Sequence, residues 1–264
     1  LFPPGIHSQV NIVTYNIRYN NPGDGQHAWP NRKSDVINLL KFHQADIFCL
    51  QEALEGQVKE VDAAFNGFTY TGAGRDDGKT AGEYAPVFYN TQRFAERDVG
   101  HFWLSEDPYS PVKGWDAACV RICTWVKLEE RSTGRTLVVF NTHFDHVGIL
   151  ARKNAADLII EKIGQLKGDS PVILCGDFNL PPASAPIEKI AACLSDAYHV
   201  TELPPHGATG TWSGFTCEDE QGDRIDYIFV SGDLRVKRYA ALTDSRDGSF
   251  FSDHLPVFVE LDWR

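Results

Sequence analysis

Apolar residues fall along this chain in two periods, and the runs they form stop repeatedly at Asn, Asp, Glu, Gln or His. Residues 10–19 (VNIVTYNIRY) alternate and are rich in β-formers, which predicts a strand ending in polar Asn16 and Arg18. Residues 20–31 contain Pro-Gly-Asp-Gly and read as a loop. Ser34 or Asp35 is then placed to cap a helix that carries Val36, Leu39, Leu40 and His43 on one side. Residues 45–50 (ADIFCL) are almost wholly apolar, as in a strand covered on both faces, and lead straight into Gln51 and Glu52.

A strand, a helix and a second strand normally close as a right-handed crossover onto a parallel neighbour. The pattern repeats later in the chain. Residues 137–140 predict a strand running into Asn141-Thr142-His143, residues 151–166 a helix, and residues 172–175 a strand running into Gly176-Asp177-Phe178-Asn179. Asn16 and Glu52 are 36 positions apart, as are Asn141 and Asp177. Matching spacing and polar type predict an internal duplication in which each half delivers an Asn and a carboxylate to one shared edge. Elsewhere residues 71–83 and 203–214 read as loops, and residues 84–89, 123–128, 224–230 and 257–261 as strands. Many strands with interspersed helices predict mixed sheets in a layered α/β (α+β) domain, and no linker divides residues 1–264.

Composition narrows the chemistry. No continuous apolar run is of membrane-spanning length. Acidic residues outnumber basic ones, 36 to 25, for a formal net charge of −11. That balance argues against tight, sequence-independent binding of duplex DNA, whose affinity comes from cationic side chains on phosphates. A small or single-stranded phosphoester substrate held through a cation is compatible with it, and carboxylates that ligate the cation account for part of the excess. Cys49 and Cys175 lie in apolar runs, and none of the six cysteines has zinc-ribbon spacing, so disulfides are permitted but not required. The chain opens Leu1-Phe2-Pro3-Pro4 and contains no Met. A periplasmic or secreted location is expected if Leu1 follows a removed targeting segment, a cytoplasmic one otherwise, and a monomer in either case.

Six segments set polar residues against apolar strands: YNIR (Asn16, Arg18), LQE (Gln51, Glu52), NTHFDH (Asn141, His143, Asp145, His146), GDFN (Asp177, Asn179), RIDYIF (Arg224, Asp226) and SDHLP (Asp253, His254). Acids at the ends of hydrophobic strands are costly unless paired or bound to a cation, so their recurrence points to a site. Oxygen donors outnumber soft ones, which favours Mg²⁺, with Mn²⁺ as the alternative, over zinc. Adjacent side chains on a strand point to opposite faces, so in the pair Asp253-His254 one can hold a cation while the other moves a proton.

In this order, and over nearly the full length, the six motifs resemble those of the endonuclease/exonuclease/phosphatase superfamily, whose fold is like that of deoxyribonuclease I. The NTHFDH and GWDAACVRICTW segments look more like an uncharacterised bacterial branch related to deadenylase-type members than like the abasic-site repair branch. The resemblance implies a four-layer αββα sandwich, with two mixed β-sheets face to face and helices outside. It implies divalent-metal-dependent hydrolysis of phosphoester bonds, phosphodiesterase- or nuclease-like. Glu52 then corresponds to the principal metal ligand, with Asp253 and Asn16 beside it, and Asp177 and Asn179 to the pair that positions the attacking water. His254 corresponds to the proton-transfer residue, oriented by Asp226, and His143 to a contact with the scissile phosphate or leaving oxygen.

Candidate substrate contacts are Asn141, Tyr84, Arg121 and Trp212. Tyr84, leading into a strand, suits a core equally well, and Arg121 and Arg18 suit a solvated strand. Trp212 could stack on a base, contact a sugar or lipid headgroup, or simply pack. The repair branch carries an acid where Arg18 stands, so a second metal contact from that strand is not expected. Phosphomonoester hydrolysis on a small phosphorylated sugar, inositol or lipid headgroup is the alternative activity, and a non-catalytic phospho-ligand-binding protein the rival class. Retention of Glu52, Asp226, Asp253 and His254 favours an enzyme.

Overall fold

The computed structural model describes residues 9–217 and 222–263, so Leu1-Phe2-Pro3-Pro4 lies outside the described residues. The first part of the chain runs β1 (Val10–Asn16), α1 (Trp29–Phe42), β2 (Ile47–Gln51), α2 (Glu55–Ala64), β3 (Phe68–Thr71), β4 (Val87–Asn90) and β5 (Phe94–Trp103). The middle adds β6 (Ile122–Glu130), β7 (Thr136–His143), α3 (Ile149–Leu166), β8 (Val172–Asp177) and α4 (Ala185–Ala191). Then come β9 (Ser195–Asp196), α5 (Ala197–Val200), β10 (His206–Gly207), β11 (Asp226–Val230) and β12 (Leu234–Ala241). A small hairpin, β13 (Ser245–Arg246) with β14 (Ser249–Phe250), precedes the last strand, β15 (Val257–Trp263). The two large sheets have the orders β10-β12-β15-β1-β2-β4-β3 and β5-β6-β7-β8-β11-β9.

Period-two alternation in the strands dictates the layers. Ile12, Ile47, Cys49 and Val87 from the first sheet meet Val126, Val139, Ile173, Cys175 and Ile228 from the second in a central core. Their strand neighbours Val13, Tyr15 and Phe48 point the other way and pack on α1 and α2 through Val36, Leu39, Leu40, Val58 and Val61. On the far side Phe140, Leu174 and Phe229 pack on α3 and α4 through Ala155, Ala156, Ile159, Ile187 and Ile190. The order is helix, sheet, sheet, helix, the four-layer sandwich. Among the described residues no helix is long and apolar enough to cross a membrane.

Both strand-helix-strand units are present as parallel pairs. Asn16 stands opposite Gln51 between β1 and β2, and His143 opposite Asp177 between β7 and β8. This register corrects the expected duplication. Asn16 is the last residue of β1, but Asn141 lies two positions before the end of β7 and pairs with Cys175. Its amide crosses between the sheets, donating to the Leu50 and Pro86 carbonyls at 2.8 Å each and accepting from Gln51 Nε2 at 2.7 Å. Asn141 therefore fastens the two sheets together and is not available to a substrate. The start of α1 also differs from expectation. Pro30 sits in its first turn, so Ser34 and Asp35 lie inside the helix, and Asp35 pairs with Arg246 instead of capping.

Candidate active site

The ends of β1, β2, β7 and β8 and the starts of β11 and β15 meet at one edge of the sandwich. Three residues just beyond those strand ends have left-handed backbones: Arg18 (φ 56°), Glu52 (φ 61°) and Asn179 (φ 50°). Non-glycine residues are strained there, and backbone-to-side-chain hydrogen bonds hold these turns. Arg18 N–H donates to Asn16 Oδ1 at 3.0 Å, Tyr19 N–H to Glu52 Oε2 at 3.2 Å, and Asn179 N–H to Asp177 Oδ1 at 2.9 Å. Gly176 lets β8 close on β7, because a Cβ there would lie 2.1 Å from the Thr142 carbonyl oxygen.

Asp177 is the hub. Its Oδ2 accepts from Asn16 Nδ2 at 3.0 Å and lies 3.4 Å from His143 Nε2 and 3.7 Å from His254 Nε2. Burial, and then the charge of Asp226, pushes the Asp177 carboxyl up to about 7, against the pull of His254. Asp226 Oδ2 holds His254 Nδ1 at 2.9 Å. Burial alone would depress the His254 imidazole, but Asp226 and then Asp177 keep it well above its usual range. His143 is the opposite case: burial, followed by the nearby Arg121 and Arg75, holds its imidazole well below the usual range. Its Nε2 meets Asn179 Nδ2 at 3.1 Å, and its Nδ1 lies 3.9 Å from Glu83 Oε2. Environments that drive two histidines apart in this way separate a charged role from a neutral one.

Glu52 and Asp253 line the other flank. Asn16 Nδ2 donates to Glu52 Oε1 at 3.1 Å, and Ser252 Oγ donates to the Asn16 carbonyl at 2.7 Å. Asn16 thus turns its NH₂ group toward the centre and gives its Oδ1 to the Arg18 backbone. It organises Glu52 and Asp177, a correction to its expected place among the metal ligands. Burial, and the charge of Glu52, raises the Asp253 carboxyl against the pull of His254. Two mostly buried carboxylates, Asp253 raised in part by the charge of Glu52, form an all-oxygen donor set that a hard divalent cation fits. Asp177, Asp226 and His254 also offer donor atoms within 4.8 Å of one another. A charged imidazole has no free lone pair, however, so ion pairing accounts for that trio. At Cys119, Asp145 and His146, which also cluster, the carboxylate already accepts from Cys119, Val147 and Gly148 N–H groups and faces Arg121.

Of the candidate substrate contacts, Tyr84 and Arg121 line a small cleft with Arg75, Glu83 and His143. Tyr84 OH donates to the Lys79 carbonyl. Arg121 reaches Asp145 and His146 and leaves Nη1 buried without a partner. Trp212 is half exposed, and its backbone bridges to His254, which puts the indole at the rim. Sequence reasoning missed Glu83, Arg75 and Ser252. Glu83 and Arg75 fall in a stretch of mixed charge and glycine where a site acid looks like any loop acid, whereas Ser252 stood within the SDHLP motif and drew no role.

Comparison with known proteins fits this geometry. The model of the "Endonuclease/Exonuclease/phosphatase family" matches residues 13–254. An endonuclease/exonuclease/phosphatase family protein from Bacteroides thetaiotaomicron superposes with a TM-score of 0.94 at 37% identity, covering 97% of this chain and 98% of that one. A mannosyl-6-phosphatase from the same organism gives 0.93 at 37% identity, over 96% and 100% of the two chains. Nocturnin of Drosophila melanogaster is 25% identical over 271 residues, 87% of this chain, which spans only 41% of that protein's length. The chain belongs to the endonuclease/exonuclease/phosphatase family, whose members hydrolyse phosphoesters.

Proposed function

We propose that this chain is a divalent-cation-dependent phosphatase of small phosphorylated sugars. The observation that carries the reading is the division of the centre around Asp177, with a charged His254 on one side, a neutral His143 on the other, and the Glu52 and Asp253 carboxylates opposite. Glu52 and Asp253 would hold the cation, which when bound neutralises charge on the phosphate. Asp177, poised near neutral pH, takes the proton of the attacking water, which Asn179 helps to place. The His254 imidazolium, fixed by Asp226, stabilises the anionic transition state as the bond from the water oxygen to phosphorus forms and the bond from phosphorus to the sugar oxygen breaks. The sugar oxygen departs as the hydroxyl with a proton drawn from solvent, while Asp177 holds the one from the water. The sugar half of the proposal is supported by likeness to the mannosyl-6-phosphatase over nearly the whole of both chains.

Hydrolysis of single-stranded RNA or DNA is the second reading, favoured by the half-exposed Trp212 beside His254. One panel separates the two: mannose 6-phosphate, p-nitrophenyl phosphate, bis-p-nitrophenyl phosphate and an oligoadenylate, each with Mg²⁺, Mn²⁺ or EDTA. Monoester turnover that EDTA abolishes, and that exceeds diester and oligonucleotide turnover by about tenfold or more, is expected. Full activity in EDTA would sink the metal-dependent reading, and preference for the oligonucleotide would select the second.

A further inference from the structure

The Glu52 and Asp253 flank already contains a cation of the protein's own. The Arg18 guanidinium lies 3.9 Å from Glu52 Oε2 and 3.9 Å from Asp253 Oδ2. It is firmly held: Asp24 takes it in a two-pronged grip, Oδ2 to Nε at 3.0 Å and Oδ1 to Nη2 at 3.1 Å, and Asn21 Nδ2 fixes Asp24 Oδ1 at 2.9 Å. The Tyr19 ring lies beneath, its centroid 4.5 Å away. The backbone is fixed independently, at φ 56°, with N–H bound to Asn16 Oδ1 and the carbonyl accepting from Arg32 Nη2 and Gln57 Nε2. A strained residue determined this thoroughly by its surroundings is suited to a positioning task.

We propose that Arg18 is a positioning residue that shares Glu52 and Asp253 with the divalent cation and so weakens that cation's binding, while Asp24 sets how far the guanidinium leans on the two carboxylates. This rests on the metal-dependent reading above. A fixed positive charge 4–6 Å from a carboxylate offsets part of the field that would draw a second cation there. Asp24 competes for the same guanidinium from the outer side, so the strength of that grip tunes how much of the field remains.

The test is Mn²⁺ binding to the full chain without substrate, followed by loss of the free-ion EPR signal. Arg18→Asn removes the charge with a residue that tolerates positive φ, and it is expected to tighten Mn²⁺ binding about tenfold. A merely structural role predicts the reverse, because a disturbed Glu52 would bind more weakly. Asp24→Asn frees the guanidinium to lean inward and is expected to loosen Mn²⁺ about tenfold, an effect that should shrink to about twofold in the Arg18→Asn background. A pure loss of negative charge at Asp24 would instead act equally in both backgrounds. Unchanged or weaker Mn²⁺ binding by folded Arg18→Asn overturns the proposal. Should that variant not fold, equal or tighter binding by Asp24→Asn overturns it. Wild-type protein that binds no Mn²⁺ overturns the metal-dependent reading itself, and this inference with it.

Discussion

The two strand-helix-strand units bring nearly the same backbone to the same edge, yet they furnish it differently. The first, β1-α1-β2, ends in Asn16 and Glu52, with Arg18 beside them. The second, β7-α3-β8, ends in His143 and Asp177, with Asn179 beyond. Each unit has one fully buried Asn near the end of its first strand, and the two do unrelated work. Asn16, at the last position of its strand, touches Glu52, Asp177 and His254, whereas Asn141, two positions earlier in its own, touches Gln51 and two backbone carbonyls. Topology gives a residue its neighbourhood, and a shift of two along the strand decides whether the side chain meets the reacting groups or the opposite sheet.

If the first unit holds the cation and the second handles the proton, variants in the two units should fail in different ways. Glu52→Gln keeps shape and removes charge, so kcat/KM is expected to fall about 10³–10⁴-fold, roughly 4–5 kcal/mol, with Mn²⁺ binding lost. His143→Gln is expected to lower kcat/KM about 10²-fold while Mn²⁺ affinity stays within about twofold. Steady-state kinetics and Mn²⁺ titration of both variants decide it. If His143→Gln also loses Mn²⁺, the division between the units is wrong.

The paired asparagines give the next test, of about 3 kcal/mol. Asn141→Ala strands acceptors between the sheets and is expected to lower unfolding stability by about 3 kcal/mol, leaving kcat/KM within about twofold at 20 °C. Asn16→Ala is expected to do the reverse, lowering kcat/KM about 10–100-fold with a loss of about 1 kcal/mol of stability. Urea melts beside initial rates read both quantities. A large activity loss in folded Asn141→Ala would return that residue to the substrate.

Both units were legible in the sequence because buried parallel strands are continuous apolar runs, and the polar residues that end them stand out. The same logic hid other parts. β5 runs Phe94–Trp103 along a sheet edge with its middle exposed, so Glu96, Arg97, Asp98 and His101 mask the strand period. Equal spacing suggested that Asn141 matches Asn16, because a count along the chain does not reveal where each strand stops. Glu83 gave no signal, since its meeting with His143 joins the loop before β4 to the end of β7, a contact made only by the stacking of the two sheets. Arg18 was visible as a departure from the repair-branch pattern, but its left-handed backbone and its grip by Asp24 depend on the folded loop.

The smallest effect concerns Asp177, the member of the second unit that both histidines face. Its carboxyl sits near 7 in the folded chain against a usual 3.8, with burial and then Asp226 as the causes. Between those values the folded protein keeps a proton that the unfolded chain has released, so stability is lost as pH rises from about 4 to about 7. His254 acts in the same sense, since its folded value is also raised, but over a window that closes only above its own elevated value, and Asp226 keeps it there in wild type and variant alike. Asp177→Asn removes the first contribution and leaves most of the second. In metal-free protein its stability relative to wild type is therefore expected to improve by about 2 kcal/mol between pH 5 and pH 8, while activity is lost at both. Urea midpoints in EDTA at the two pH values measure the difference. A gap that stays constant with pH would mean that Asp177 is ionised throughout, which would leave the residue on which both units converge a far weaker base for the proton of the attacking water than a carboxyl poised near neutral pH.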